Sequence, residues 1–111
     1  MLNPRAKRIA ENEIRFREIN ERMARDVRDI VDPQERLDLV CECGFDTCRE
    51  TVGMRLGDYD HERADGRHFF LVPGHEIEDL ERIVERREGY AVVEKKGDAA
   101  TVATEHDPRL G

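Results

Sequence analysis

The chain has 111 residues, 41% charged and 38% apolar, with a formal net charge of −7 and no tryptophan. That length accommodates one domain, and so few apolar residues build only a meagre core, so something besides apolar burial is expected to stabilise it. Residues 1–30 carry eight Arg or Lys against six Asp or Glu, a balance of +2 that leaves −9 for residues 31–111. A body this acidic repels phosphate and argues against wrapping a nucleic-acid backbone.

Arg5, Lys7 and Arg8 have no apolar run behind them, so no secretory signal is expected, and no stretch approaches membrane-spanning length. The three cysteines are an odd number, and Cys41 and Cys43 stand too close in sequence to bridge well, which points to a reducing cytoplasm. The expected organisation is α+β. An amphipathic helix (1–32) precedes a small β-rich metal-binding domain (33–96) and a disordered tail (97–111).

In chain order, Arg5 to about Ile30 reads as one helix between Pro4 and Pro33. Ile9, Phe16, Ile19, Met23, Val27 and Ile30 fall within roughly 80° of one another, a narrow apolar seam. Glu11 with Arg15, Glu13 with Arg17, Glu18 with Arg22 and Glu21 with Arg25 place acid before base at the favourable spacing, each pair adding about 0.2 to 0.5 kcal/mol. Leu37 to Cys43 then reads as a strand entering a tight loop at Gly44, and Arg49 to Leu56 as the strand that leaves it. A short helix is expected from about Leu56 to Ala64, then an apolar run from His68 to Val72 closed by Pro73 and Gly74. Residues 76–95 carry two patterns, a helical one through Ile77, Leu80 and Val84 and a hairpin about Glu88 and Gly89. A short helical turn followed by the hairpin is favoured, because Ile83, Val84, Tyr90, Val92 and Val93 are strand formers.

The run from Cys41 to Cys48 carries the chemistry. In an extended strand residues i and i+2 point the same way, so Cys41 and Cys43 reach one ion together, and Gly44 permits the reversal that returns Cys48. Three soft thiolates in a tetrahedral arrangement select zinc. The set needs a fourth ligand, and His75, presented by the Pro73-Gly74 turn, is the first choice. His68 ranks second, His61 reads as solvated among charged neighbours, and His106 lies in the tail. Such an ion is expected to be structural, because three thiolates make a poor Lewis acid. The bland alternative is three unconnected thiols, or a reversible bridge from Cys48 to Cys41 or Cys43.

Cys41-x-Cys43-Gly44-x3-Cys48-Arg49 resembles the post-SET zinc motif of histone lysine methyltransferases. The likeness stops at those residues. The methyltransferase domain and its Asn-His motif are absent and no fourth cysteine exists here, so the resemblance implies metal binding and no methyl transfer. A broader pattern joins the Asn-Glu-x3-Phe-Arg motif of residues 12–17, the cysteine cluster, Pro73-Gly74-His75-Glu76 and Tyr90 to Lys95. It is similar to a family of short uncharacterised bacterial zinc-binding proteins. That resemblance implies that cluster and turn belong to one design, and brings no activity with it.

The leading functional expectation is an interaction or regulatory module in which zinc is structural and the helical seam meets an unknown protein partner or a second copy. The alternative is a nucleic-acid-binding regulator using the arginine-rich helix, with Arg5, Arg8, Arg15, Arg17, Arg22, Arg25 and Arg28 as its support. Interleaved glutamates favour a solvated face instead. No enzyme is expected. Asp58, Asp60, Glu62 and Asp65 lack an assignable acid-base partner, and no phosphate-cradling glycine loop or serine triad occurs. Oxidation of Cys48 with ejection of the metal would make the cluster a redox switch.

Overall fold

The computed structural model describes residues 2–109. It is α+β, in the order α1 (Pro4–Val27), β1 (Arg36–Val40), β2 (Thr51–Arg55), α2 (Leu56–Arg63), β3 (His68–Leu71), β4 (Glu81–Arg87), β5 (Tyr90–Lys95) and α3 (Asp98–Glu105). Helix α1 starts where Asn3 accepts a hydrogen bond from the Ala6 amide and Pro4 occupies the first turn, whose free amides proline does not need.

Strands β1 and β2 form an antiparallel hairpin, and β3, β5 and β4 form a second antiparallel sheet with β5 in the centre. Alternation along β5 explains the core. Tyr90 and Val92 pack with Phe70, Tyr59, Leu39, Val52 and Met54 on one face, while Ala91 and Val93 pack with Phe69, Leu71, Cys41 and Cys43 on the other. A central strand covered on both faces must be apolar throughout, as Tyr90 to Val93 is. Residues 77–80 form the expected turn before the β4–β5 hairpin.

Two expectations are corrected. The segment 97–111 is not wholly a disordered tail, since Asp98–Glu105 is helix α3, with Ala99 and Ala103 buried and Arg109 paired to Glu21 and Asp60. Leu110 and Gly111 of that segment lie outside the described residues. Small alanines four residues apart carry little hydropathy, yet they let α3 approach closely.

The second correction concerns the face of α1 that packs. Ala6, Ile9, Ala10, Asn12, Glu13, Arg17, Asn20, Glu21 and Ala24 are buried, whereas Ile19 and Met23 are 36% and 38% exposed and Ile30, beyond the helix, is 80% exposed. Polar side chains on this face meet unpaired backbone. Asn20 donates to the Val40 carbonyl (2.8 Å) and accepts from the Val40 amide (2.8 Å), imitating a further strand, and Asn12 donates to the Gly44 carbonyl (3.0 Å). Arg17 reaches the carbonyls of Gly66 (2.7 Å) and Ala103 (2.8 Å) with its guanidinium over the Phe69 ring. These hydrogen bonds offset the desolvation penalty of the buried side chains, although Arg17 Nε has no partner.

Two of the four acids assigned to helical pairs, Glu13 and Glu21, also turn inward, while Glu11 and Glu18 stay exposed. Glu13 pairs with Lys95 at 2.6 Å and Glu21 with Arg109 at 3.0 Å. Glu42, between the first two cysteines, is fully buried against Arg63, whose guanidinium stacks over Tyr59 and Phe70. Asn20 and the Phe70 amide also donate to Glu42, so both carboxylate oxygens are occupied.

Candidate metal centre

Each ligand position follows from local structure. Strand β1 runs on past Val40, with the Cys41 amide bonded to the Glu50 carbonyl and the Glu42 amide to the Phe70 carbonyl. This extended stretch turns Glu42 into the core and leaves Cys41 and Cys43 facing the other way. Gly44 serves a purpose other than the expected one. It is not in the left-handed region, but a Cβ there would stand 2.4 Å from Ile9 Cγ2, so glycine is required by the close approach of α1. Gly44→Ala is expected to cost about 1 to 3 kcal/mol through overpacking, measured by urea denaturation.

His75 ends a turn in which its amide bonds to the Val72 carbonyl at 3.0 Å. Proline at the second position and Gly74 with φ of 99° at the third are the requirements of a type II turn. The turn brings His75 Nδ1 to 3.5 Å from Cys41 Sγ and 3.8 Å from Cys48 Sγ, and the ligand atoms of Cys41, Cys43, Cys48 and His75 lie within 4.8 Å of one another. A tetrahedral ion with ordinary sulfur and nitrogen bond lengths implies ligand separations of about 3.5 to 3.8 Å, so this set has the dimensions of a coordination sphere.

Its surroundings fit a bound cation. The Val72 amide donates to Cys41 Sγ at 3.2 Å, and the amides of Phe45 and Glu50 donate to the sulfurs of Cys43 and Cys48, offsetting negative charge on thiolates. His75 Nε2 lies 2.9 Å from a Glu50 carboxylate oxygen, which favours the tautomer with Nδ1 free to coordinate. The Phe45 ring stands edge-on to His75.

The other histidines are elsewhere. His68, the second choice, lies on β3 with Nε2 3.4 Å from Glu94 and 3.5 Å from Asp65, and Nδ1 3.5 Å from Glu62. Arg67 and Arg82 pair with the same Asp65 and Glu94 carboxylates, so these acids already have cationic partners, in a group whose ligand atoms also lie within reach of one ion. His61 is exposed, and His106 Nδ1 is 3.0 Å from the Val102 carbonyl.

Glu50 and Glu42 are the residues that motif reading missed. Glu50 stands across the hairpin from Cys41, a relation visible only once the register is known. Glu42 carried a signal: an acid between two inward thiols on a strand points the opposite way and needs a cation there, which Arg63 supplies.

No family model matches the chain, and neither a curated protein nor a solved structure does so. Among the described residues no helix is long and apolar enough to cross a membrane.

Proposed function

We propose that this protein is a small interaction module in which one structural zinc ion, held by Cys41, Cys43, Cys48 and His75, fixes a platform for α1. Three thiolates and one imidazole suit zinc, and they leave no position open for substrate. The observation that carries the interaction reading is the stripe that α1 does not bury. Phe16 is half-buried, Ile19 and Met23 are exposed, and Met23 and Val27 border a groove with Leu37 and Leu39 that Asp26 and Asp38 also line.

A polar helix face spent on the protein's own core, with an apolar stripe left beside it, is the arrangement expected of a helix that meets a second surface. The same inward turn weakens the nucleic-acid alternative. Arg17 and Arg28 are committed to the body, Arg28 to Asp60 at 2.8 Å, which removes two of the arginines that reading relied on.

Sedimentation across a concentration series, together with capture of partners from the source cell, tests the interaction reading. Self-association or a captured partner that Ile19→Asp with Met23→Asp weakens at least tenfold is expected. A strictly monomeric chain whose captured proteins are unchanged by the double substitution would contradict it.

A further inference from the structure

We infer that Asp65, His68 and Glu94 form a second zinc site, weaker than the cysteine centre and filled only when zinc is supplied.

Three elements converge on it. Asp65 lies in the turn after α2, where its Oδ1 accepts from the Arg67 amide (2.9 Å) and its carbonyl from the His68 amide (3.0 Å). His68 opens β3, and the sheet register sets it directly across from Glu94 on β5. The ligand atoms of the three residues lie within 4.8 Å of one another. A cavity of 570 Å³ bordered by Asp65, His68, Thr104 and Asp107 opens beside them, which gives an ion a route in and leaves room for water to complete its sphere.

The imidazole calls for a cation. Nε2 faces Glu94 Oε2 at 3.4 Å and Asp65 Oδ2 at 3.5 Å, while Nδ1 faces Glu62 Oε2 at 3.5 Å, shielded from solvent and without a hydrogen bond. A neutral ring has one N–H and one lone pair, so in either tautomer a lone pair points at a carboxylate. A second proton would remove that repulsion, but charge-assisted N–H···O bonds close to about 2.7 to 2.9 Å. Separations of 3.4 and 3.5 Å are instead those of two ligands on one tetrahedral ion. Zinc bonds of about 2.0 to 2.2 Å to nitrogen and oxygen give about 3.3 to 3.6 Å between ligands. With zinc on Nε2, the Nδ1 proton is directed at Glu62, the carboxylate that commonly stands behind a ligating histidine.

The arginines leave the ligand atoms available. Arg67 and Arg82 both meet Glu94 at Oε1, which leaves Oε2 to the ion, and Arg67 Nη2 occupies only one of the two lone pairs of Asp65 Oδ2. Glu62, Asp65 and Glu94 set against two guanidinium groups leave one formal negative charge for a divalent ion to meet. Nitrogen and oxygen donors lack the soft thiolates that favour zinc at Cys41, Cys43 and Cys48, so the cysteine centre fills first.

The test adds zinc to the full chain that already carries its first ion, with calorimetry to count the second equivalent and nitrogen NMR of the histidine rings to place it. A second zinc that shifts the His68 Nε2 resonance, resists excess calcium and binds at least tenfold more weakly to Glu94→Gln is expected. No second equivalent, a His68 ring that zinc leaves unchanged, a second zinc that calcium displaces, or a folded Glu94→Gln chain that binds it as tightly as the parent would overturn the inference. The ring resonance is read on the parent chain, so it decides the matter even if the variant does not fold. If the cysteines hold no ion, the first zinc added is the one that moves the His68 resonance, which separates failure of the cysteine centre from failure of this site.

Discussion

With Cys41, Cys43, Cys48 and His75 holding the proposed zinc, chelation of the purified chain is expected to abolish the cooperative thermal transition near its native midpoint and to deprotect the amides of residues 41–50 and 72–77. The two segments that supply the ligands meet mainly around the site itself, through the Val72 amide on Cys41 Sγ and through Glu50 and Phe45 against His75. Residues 44–50 form no helix or strand, and the Pro73-Gly74 turn is exposed. Apparent zinc binding of about 10 to 16 kcal/mol in small peptides exceeds the total stability of most domains, about 5 to 15 kcal/mol. Because Cys41 and Cys43 belong to the same apolar cluster as Phe69, Leu71 and Val93, loss of the ion would spread into the sheet. Circular dichroism melts with and without chelator, read beside hydrogen exchange, check this. An unchanged midpoint in the chelated chain would contradict it.

Arg63→Met should be the most damaging single substitution outside the metal ligands, at about 3 to 5 kcal/mol, because it leaves Glu42 charged and buried without its cation. Both side chains have zero solvent exposure. Burial pulls the Arg63 pKa down, but the Glu42 carboxylate and the Tyr59 hydroxyl together outweigh it and the net shift is upward, so the guanidinium stays charged. Adding Glu42→Gln should recover most of the loss, since glutamine still accepts from the Phe70 amide without burying a charge. Urea denaturation of the single and double variants measures the coupling. Glu42 lies between two ligands, so Arg63→Met should also weaken metal binding, whereas a purely local defect would leave it intact. A cost below about 1 kcal/mol for Arg63→Met would refute the account of this pair.

Local signals made part of the molecule readable in advance. The β4–β5 hairpin follows from β-branched residues on either side of Glu88 and Gly89, and the His75 turn from the Pro-Gly pair before it. The cysteine trio was visible because strand periodicity and a short loop bring the three thiols together without help from distant residues. The packed face of α1 was not readable, since it is held by groups far away in the chain. Asn20 completes its bonds with Val40 and Glu42, Glu13 with Lys95, and Arg17 with Ala103. Hydropathy assigns such residues to solvent, and only the tertiary structure supplies the partners that make their burial favourable. Helix α3 escaped notice for a related reason: its contact rests on Ala99 and Ala103, whose value lies in small size.

The central claim is that Cys41, Cys43, Cys48 and His75 hold one divalent ion. Native mass spectrometry of the purified chain, before and after chelation and beside the triple variant Cys41→Ser, Cys43→Ser, Cys48→Ser, measures it directly. One zinc per chain, lost on chelation and absent from the variant, is the predicted result. A folded parent that never carries a metal, or a triple variant that keeps one, would contradict the claim.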